Sequence, residues 1–158
     1  MLFPKTNAYR QFIDLSGYWD FCVDPKAVGV SEGWGEGLEG TRPIAVPASW
    51  NDQFEDWRDY LGDGWYQTRF DLPWGWEQQR VFVRFGSVNY LAEVWLNGHR
   101  LGEHEGGHLP FEFDITVPFQ APSGAKDVPA VSQARRRSLR VAGRIAGVGA
   151  SPWLKYTW

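Results

Sequence analysis

The sequence predicts an all-β fold in which antiparallel strands pack as a jelly-roll β-sandwich. Short runs place apolar residues at every second position, which is the period of a strand with one buried face. Clusters of Gly, Pro, Asn and Asp separate these runs at short spacing, and no long amphipathic helix is evident. Because two sheets closed face to face bury the apolar side of such strands, a sandwich is the expected architecture.

The first predicted strands are residues 17–23, 44–46, 64–72, 81–85, 91–96 and 111–117. A hairpin should follow the fifth of them, because Asn97-Gly98 adopts positive φ easily and suits a tight turn into a strand at 99–101. The core is expected to include three tryptophans that lie within these strand patterns, Trp19, Trp65 and Trp95.

The composition indicates one compact domain. The chain has 158 residues, of which 43% are hydrophobic, enough for one sizeable core and too few for a second ordinary domain. Cys22 is the single cysteine, so no intrachain disulfide can form and a cytoplasmic location is expected. Neither a signal peptide nor a membrane span is predicted. No metal ion or organic cofactor is expected.

The charge distribution changes near Gln120. Residues 1–119 hold nine Lys and Arg against eighteen Asp and Glu, whereas the rest of the chain holds seven basic side chains against Asp127 alone. We therefore divide the chain into a jelly-roll body, 1–119, and an atypical basic tail, 120–158. The tail is expected to contribute one or two strands, an edge strand at 139–141 and a terminal strand at 152–158.

The tail also contains the run Arg135-Arg136-Arg137. One short basic run without interleaved aromatic residues is a weak nucleic-acid signature, and the body is acidic, so no nucleic-acid partner is expected. Opposite net charges instead favour contact of the tail with the body, or with the body of a neighbouring chain.

Five colinear motifs resemble a known family: DLSGYWDF at 14–21, VPASWND at 46–52, GWYQ at 64–67, VWLNG at 94–98 and GGHLPFE at 106–112. They are similar to motifs in the N-terminal sugar-binding domain of the β-glucuronidase-type enzymes of glycoside hydrolase family 2. That domain is a jelly roll of the galactose-binding-domain type. The resemblance covers roughly the first 119 residues and implies a carbohydrate partner, either an oligosaccharide or a polysaccharide.

The resemblance does not extend to the catalytic residues of the family. Family members carry two catalytic glutamates on a separate barrel domain, and no position of this chain matches them. The expected function is therefore that of a carbohydrate-binding module without conventional hydrolysis. Two alternatives stay open, a minimal glycoside hydrolase and a structural remnant that self-associates through an exposed apolar surface.

A minimal hydrolase would need a new pair of carboxylates, because retaining glycosidases use two of them about 5 Å apart. The candidates are Asp52, Asp59, Glu105 and Glu112. The first two belong to a larger acidic run that also holds Glu55, Asp56 and Asp63, and such a run is more typical of a solvated loop.

Carbohydrate binding requires exposed flat rings that stack on a pyranose, together with amide, carboxylate or guanidinium groups that bind its hydroxyls. The residues that combine these features beside turn formers are Trp50, Asn51, Asp52, Trp57, Arg58, Trp74 and Trp76. For any individual one of these tryptophans, core packing is the favoured role, and sugar stacking is the alternative.

The segment from His104 to His108 formally fits the zinc-protease pattern His-Glu-x-x-His. Gly106-Gly107 opposes the helix that would bring both imidazoles onto one face, so zinc is kept only as an alternative. Glu105, His108 and Glu112 are expected instead to satisfy nearby backbone groups or one another.

Overall fold

The computed structural model describes residues 6–73, 75–76, 79–116, 138–147 and 153–157. Within these ranges the strands are β1 (Gly17–Asp24), β2 (Arg42–Val46), β3 (Gly62–Asp71), β4 (Phe82–Ser87), β5 (Leu91–Leu96), β6 (His99–Glu105), β7 (Phe111–Asp114), β8 (Ser138–Gly147) and β9 (Trp153–Thr157). A short helix, α1 (Trp50–Gln53), and a 3₁₀ turn over Glu55–Trp57 connect β2 to β3. Neither of these helices is long and apolar enough to cross a membrane.

The strands form two antiparallel sheets. The larger sheet has the strand order β2-β1-β3-β8-β5-β6, and the smaller has the order β7-β4-β9. The prediction of an all-β sandwich is confirmed, and the strands predicted before residue 119 form close to the predicted residues. The predicted hairpin at Asn97-Gly98 joins β5 to β6, with φ of 50° and 85° at its two residues.

The position of β8 corrects one expectation. The apolar piece at 139–141 was predicted as an edge strand, whereas β8 is ten residues long and lies between β3 and β5. Every residue from Ser138 to Gly147 pairs with β3, and Val141 to Ala146 pair with β5. The strand is central because Leu139, Val141 and Ile145 alternate along it and are all buried in the core.

The end of β7 corrects another expectation, because the strand predicted to reach residue 117 stops at Asp114. The backbone N–H of Thr116 donates a 2.9 Å hydrogen bond to Oδ1 of Asp114. This side-chain turn takes the N–H out of the strand ladder and ends the strand. The basic run Arg135-Arg136-Arg137, which was expected to contact the acidic body, lies outside the described residues.

The main core lies between the two sheets. Alternation along β1 places Trp19 and Phe21 in this core, and the ring of Phe21 stacks on Trp50 of α1 at 5.6 Å. The face of the larger sheet that points away from the core, called here the outer face, carries a second cluster of Trp65, Trp95 and Ala142. The prediction that Trp19, Trp65 and Trp95 are core residues is confirmed, since none is more than 7% exposed.

The loop between β1 and β2 covers part of the outer face. Asp24, which is buried, ties the start of this loop to the sheet. Its carboxylate accepts hydrogen bonds from the backbone N–H of Val28 (2.9 Å) and Gly29 (2.7 Å) and from Nε1 of Trp65 (3.2 Å). Further along the loop, Gly35 lies so close to Trp95 that an added Cβ would lie 2.6 Å from the indole ring.

Candidate functional site

Two of the tryptophans predicted to bind sugar are buried, so the expectation that their rings are exposed is wrong. Trp50 is fully buried and Trp76 is 6% exposed. Trp50 follows the N-cap Ser49, whose hydroxyl accepts a hydrogen bond from the Asn51 N–H, and this turn directs the indole into the core beside Phe21. Trp74 lies outside the described residues.

Near α1, the polar residues predicted to bind sugar include one, Asn51, whose side chain bonds to the backbone of the neighbouring loop. Nδ2 of Asn51 donates to the carbonyl oxygens of Trp57 (3.0 Å) and Arg58 (2.8 Å), so this amide is committed to the loop. The half-buried ring of Trp57 is covered on one side by the guanidinium of Arg42, whose Cζ lies 4.4 Å from the ring centroid. Arg58 and Asp52 are exposed. The structure therefore brings these residues together but leaves no open ring among them.

The predicted carboxylates do not gather at one point. Asp52 and Asp59 are exposed on the connection between β2 and β3, whereas Glu105 ends β6 and Glu112 lies in β7. Glu112 forms an ion pair with Arg84, with 3.3 Å between NH1 and Oε2. Glu112 was expected to pair with backbone groups or with Glu105 or His108, whereas its partner here is the side chain of Arg84.

Two further carboxylates of the acidic run are also ion-paired. Asp56 lies 2.6 Å from NH1 of Arg42. Asp63 lies on the outer face, where its Oδ2 is 3.1 Å from Nε of Arg144. Burial raises the pKa of Asp63, although the charge of Arg144 opposes this shift. These contacts make the two side chains parts of the scaffold.

The histidine segment is a strand followed by a loop. His104 lies in β6, and its ring stacks on Phe111 with 4.1 Å between the centroids. Gly106 has φ of 127°, which a helix does not allow, so the helical zinc arrangement does not form. Among the described residues, no group of three or more His, Cys, Asp or Glu side chains is placed to hold a metal ion.

Loops 87–90 and 105–110 meet at one end of the sandwich and are called here the loop cluster. The N–H of Gly106 donates a 2.8 Å hydrogen bond to the carbonyl oxygen of Tyr90 and joins the two loops. Interaction with the neighbouring carboxylate of Glu105 raises the pKa of Tyr90. The Tyr90 ring is 50% exposed, and exposed His108 and Leu109 follow on the second loop.

Sequence reasoning missed the exposed tyrosines, because it looked for tryptophans beside turns. Tyr9, Tyr18 and Tyr90 are 92%, 80% and 50% exposed. A signal for Tyr18 was present in the strand pattern itself. Trp19 and Phe21 share one face of β1, so Tyr18 and Asp20 must point to the other.

The comparisons with known proteins agree with the fold. Residues 12–128 match the model of the family described as glycosyl hydrolases family 2, sugar binding domain. The chain is 45% identical to a β-glucuronidase of Paenibacillus borealis over 119 residues, which is 73% of this chain and 20% of that protein. It is 39% identical to the β-glucuronidase of Canis lupus familiaris over 138 residues, 77% of this chain and 20% of that protein.

Solved structures give the same result. The crystal structure of Ruminococcus gnavus β-glucuronidase superposes with a TM-score of 0.77 at 34% identity, and the match covers 92% of this chain and 23% of that one. The same enzyme in complex with D-glucuronic acid also has a TM-score of 0.77. The chain therefore spans about a fifth of the length of the curated relatives that it matches, 20% in both cases given above.

Proposed function

Because this chain belongs to the sugar-binding domain family of the family 2 glycosyl hydrolases, we propose that it binds a saccharide through the loop cluster. The observation that carries this proposal is the half-exposed Tyr90, whose loop is joined to the second loop by the 2.8 Å hydrogen bond from the Gly106 N–H to the Tyr90 carbonyl oxygen. Backbone fixed in this way loses little conformational freedom when a ligand stacks on the ring.

The loop cluster has the chemistry that a pyranose needs. The apolar face of a sugar stacks on an aromatic ring, and its hydroxyls pair with carboxylate or imidazole groups. Tyr90 supplies the ring, and Glu105 and His108 supply polar groups on the facing loop. Exposed Leu109 adds apolar surface at the edge of the cluster.

The relatives guide the choice of ligand. The proteins that match the chain are β-glucuronidases, and the Ruminococcus gnavus enzyme forms a complex with D-glucuronic acid. Glucuronides and glucuronic-acid oligosaccharides are therefore the first ligands to test on this chain.

We propose binding without hydrolysis by this chain alone. Hydrolysis with retention would require two carboxylates about 5 Å apart, free to act as nucleophile and acid. Glu112 is ion-paired with Arg84, and Glu105 lies on a different strand, at the end of β6. Turnover of a chromogenic glucuronide that is lost in a Glu105→Gln variant would contradict this part of the proposal.

The test compares Tyr90→Ala with Tyr9→Ala, because Tyr9 is also an exposed tyrosine but lies outside the loop cluster. We expect titration calorimetry and NMR chemical-shift mapping to show that the unmodified chain binds a glucuronide weakly. We expect Tyr90→Ala to weaken binding by about tenfold, the loss of roughly 1.4 kcal/mol from one stacked ring. Tyr9→Ala should bind as the unmodified chain does. Equal binding by both variants would remove the loop cluster as the site.

A further inference from the structure

We propose a second saccharide site on the outer face of the larger sheet, selective for acidic saccharides that carry a carboxylate. It is formed by Tyr18, Arg69 and Arg140, which lie side by side on β1, β3 and β8 and are called here the outer row. The site is distinct from the loop cluster. It draws on the proposed function only in taking a saccharide as the ligand class.

The register of the sheet places these three residues together. Arg69 and Arg140 are direct cross-strand partners in the β3–β8 ladder. Asp20 of β1 pairs with Gln67 of β3, and the same antiparallel register continued by two residues brings Tyr18 opposite Arg69. Since neighbouring strands lie about 4.8 Å apart, the outer row spans about 10 Å, which is the scale of one or two sugar rings.

Two arginines directly opposite each other repel, and a folded sheet usually avoids such a pair. Within the described part of the chain, neither Arg69 nor Arg140 has a carboxylate within ion-pair distance. Arg140 donates from NH1 to the carbonyl oxygen of Glu36, and its buried Nε has no hydrogen-bond partner. A bound anion would neutralise the pair through the exposed guanidinium of Arg69.

Other arginines on the outer face show the contrast. Arg144 lies 3.1 Å from Asp63 and 3.3 Å from Glu93. Arg100 lies 2.9 Å from Glu93 and also contacts Glu103. Arg144 and Arg100 are ion-paired, whereas the described residues form no ion pair with the two arginines of the outer row.

Tyr18 provides the stacking surface. It is 80% exposed although β1 is an interior strand of the sheet. Its cross-strand partner on β2 is Ala45, and Pro43 is the next residue of β2 on the same face, so no long side chain from this strand covers the ring. An exposed flat ring beside two guanidinium groups fits a sugar whose ring stacks and whose carboxylate is bound.

Two carboxylates flank the outer row. Asp20 points to the same face as Tyr18 and lies 3.5 Å from the hydroxyl of Thr41, and Asp71 follows two residues after Arg69 on β3. Both are exposed. They repel a bare anion in solution but accept hydrogen bonds from sugar hydroxyls, so they favour an acidic saccharide over a simple anion.

The experiment uses Arg69→Gln, with Lys26→Gln as the matched control, because Lys26 is an exposed cation beyond the other end of β1. Three probes are titrated: a glucuronic-acid oligosaccharide, a neutral oligosaccharide of the same length, and sodium acetate. We expect the acidic oligosaccharide to bind the unmodified chain, and Arg69→Gln to weaken it by about tenfold or more. Lys26→Gln should leave binding unchanged, and NMR shifts should map to β1 and β3.

Three outcomes overturn this proposal while the loop cluster stands: unchanged binding in Arg69→Gln, equal loss in both variants, or acetate binding as tightly as the oligosaccharide. Shifts confined to the loop cluster would also overturn it. Failure of both oligosaccharides to bind anywhere would overturn both this proposal and the proposed function. The thermal midpoint of unliganded Arg69→Gln should be equal or higher, because the substitution removes a like-charge pair. A lower midpoint would mean that Arg69 has a structural role.

Discussion

Asp24 is the residue on which the loop over the outer face depends. Its buried carboxylate accepts three hydrogen bonds, two from loop N–H groups and one from the indole of Trp65. A carboxylate can accept all three, whereas an amide offers one acceptor oxygen and would turn an NH₂ group toward another donor.

We expect Asp24→Asn to lower the free energy of unfolding by about 1–3 kcal/mol, because buried donors lose their partner. Urea denaturation followed by tryptophan fluorescence measures this. Glu39→Gln is a suitable control, since Glu39 is an exposed carboxylate in the same loop. A variant of Asp24 as stable as the control would show that the three contacts contribute nothing.

Asp114 gives a pH-dependent prediction. Hydrogen bonds from Arg80 and Thr116 lower the pKa of Asp114 from 3.8 to about 2. Because the folded pKa lies below the unfolded one, the stabilising contribution is complete above pH 3.8 and is lost as the pH falls to about 2. The side chain is 39% exposed, so solvent makes the contribution small.

Asp114→Asn tests this directly. The free energy of unfolding of the variant should lie slightly below that of the unmodified chain at pH 7, and the two should converge as the pH falls toward 2. Thermal melts at a series of pH values provide the comparison. A difference that stays constant down to pH 2 would contradict the assigned pKa shift.

At the level of single residues, the sequence predicted the core better than the site. Trp19 lies between Tyr18 and Asp20 and alternates with Phe21, so its burial followed from the period of two, whereas Trp65 is buried on the outer face beneath the loop between β1 and β2. Trp50 was named as a candidate for an exposed ring because it stands beside Ser49 and Asn51, which are turn formers. The sequence did not reveal that Ser49 caps a single helical turn, nor that this turn aims the indole at the core.

At the level of the element, two glycines on neighbouring strands differ in the space that is available for a side chain. Gly143 of β8 has room for a side chain, since an added Cβ would lie 3.6 Å from the nearest atom, the carbonyl oxygen of Glu93. Gly64 of β3 has none, because its Cβ would lie 2.9 Å from Phe21 and 3.1 Å from Trp50. Both are interior positions of strands.

The same substitution should therefore have opposite effects at these two positions. We expect Gly143→Ala to stabilise the fold by about 0.5–1 kcal/mol, since glycine in a strand costs conformational entropy. Gly64→Ala should destabilise it by about 1–3 kcal/mol through overpacking. The denaturant midpoints of the two variants measure these changes in stability. If both substitutions shifted the midpoint in the same direction, the packing described at the two glycines would be contradicted.

The elements themselves were largely predictable, except for β8. In its second half Gly143 takes the place of an apolar side chain between Val141 and Ile145, so only 139–141 stood out. Two neighbouring strands, β3 and β5, extend it through backbone pairing, which needs no particular side chains. Pairing partners of this kind come from distant parts of the chain, and local pattern does not specify them.

In the whole molecule, β8 joins two parts of the larger sheet. On one side lie β2, β1 and β3, and on the other lie β5 and β6. Without β8, two long strand edges and the apolar face beneath Val141 and Ile145 would meet solvent. The boundary proposed at residue 119 therefore divides the sequence by composition, while the described sheet depends on residues from both sides of it.

A chain shortened to residues 1–119 should not unfold cooperatively, because it lacks both β8 and β9. A chain shortened to residues 1–147 keeps β8 and is expected to retain a cooperative but less stable transition. Near-ultraviolet circular dichroism and thermal melts distinguish the two. A sharp transition in the shorter chain, at the temperature of the full chain, would show that β8 is dispensable.

The central place of β8 also has a consequence for the rate of folding. It pairs Leu139 with Phe70 and Val141 with Leu96, partners that are tens of residues earlier in the chain. During synthesis, β3 and β5 leave the ribosome well before the strand that fills the gap between them. Contacts of such high sequence separation slow folding to about milliseconds to seconds. The interval before β8 emerges is when the nascent chain is most exposed to aggregation through its open edges.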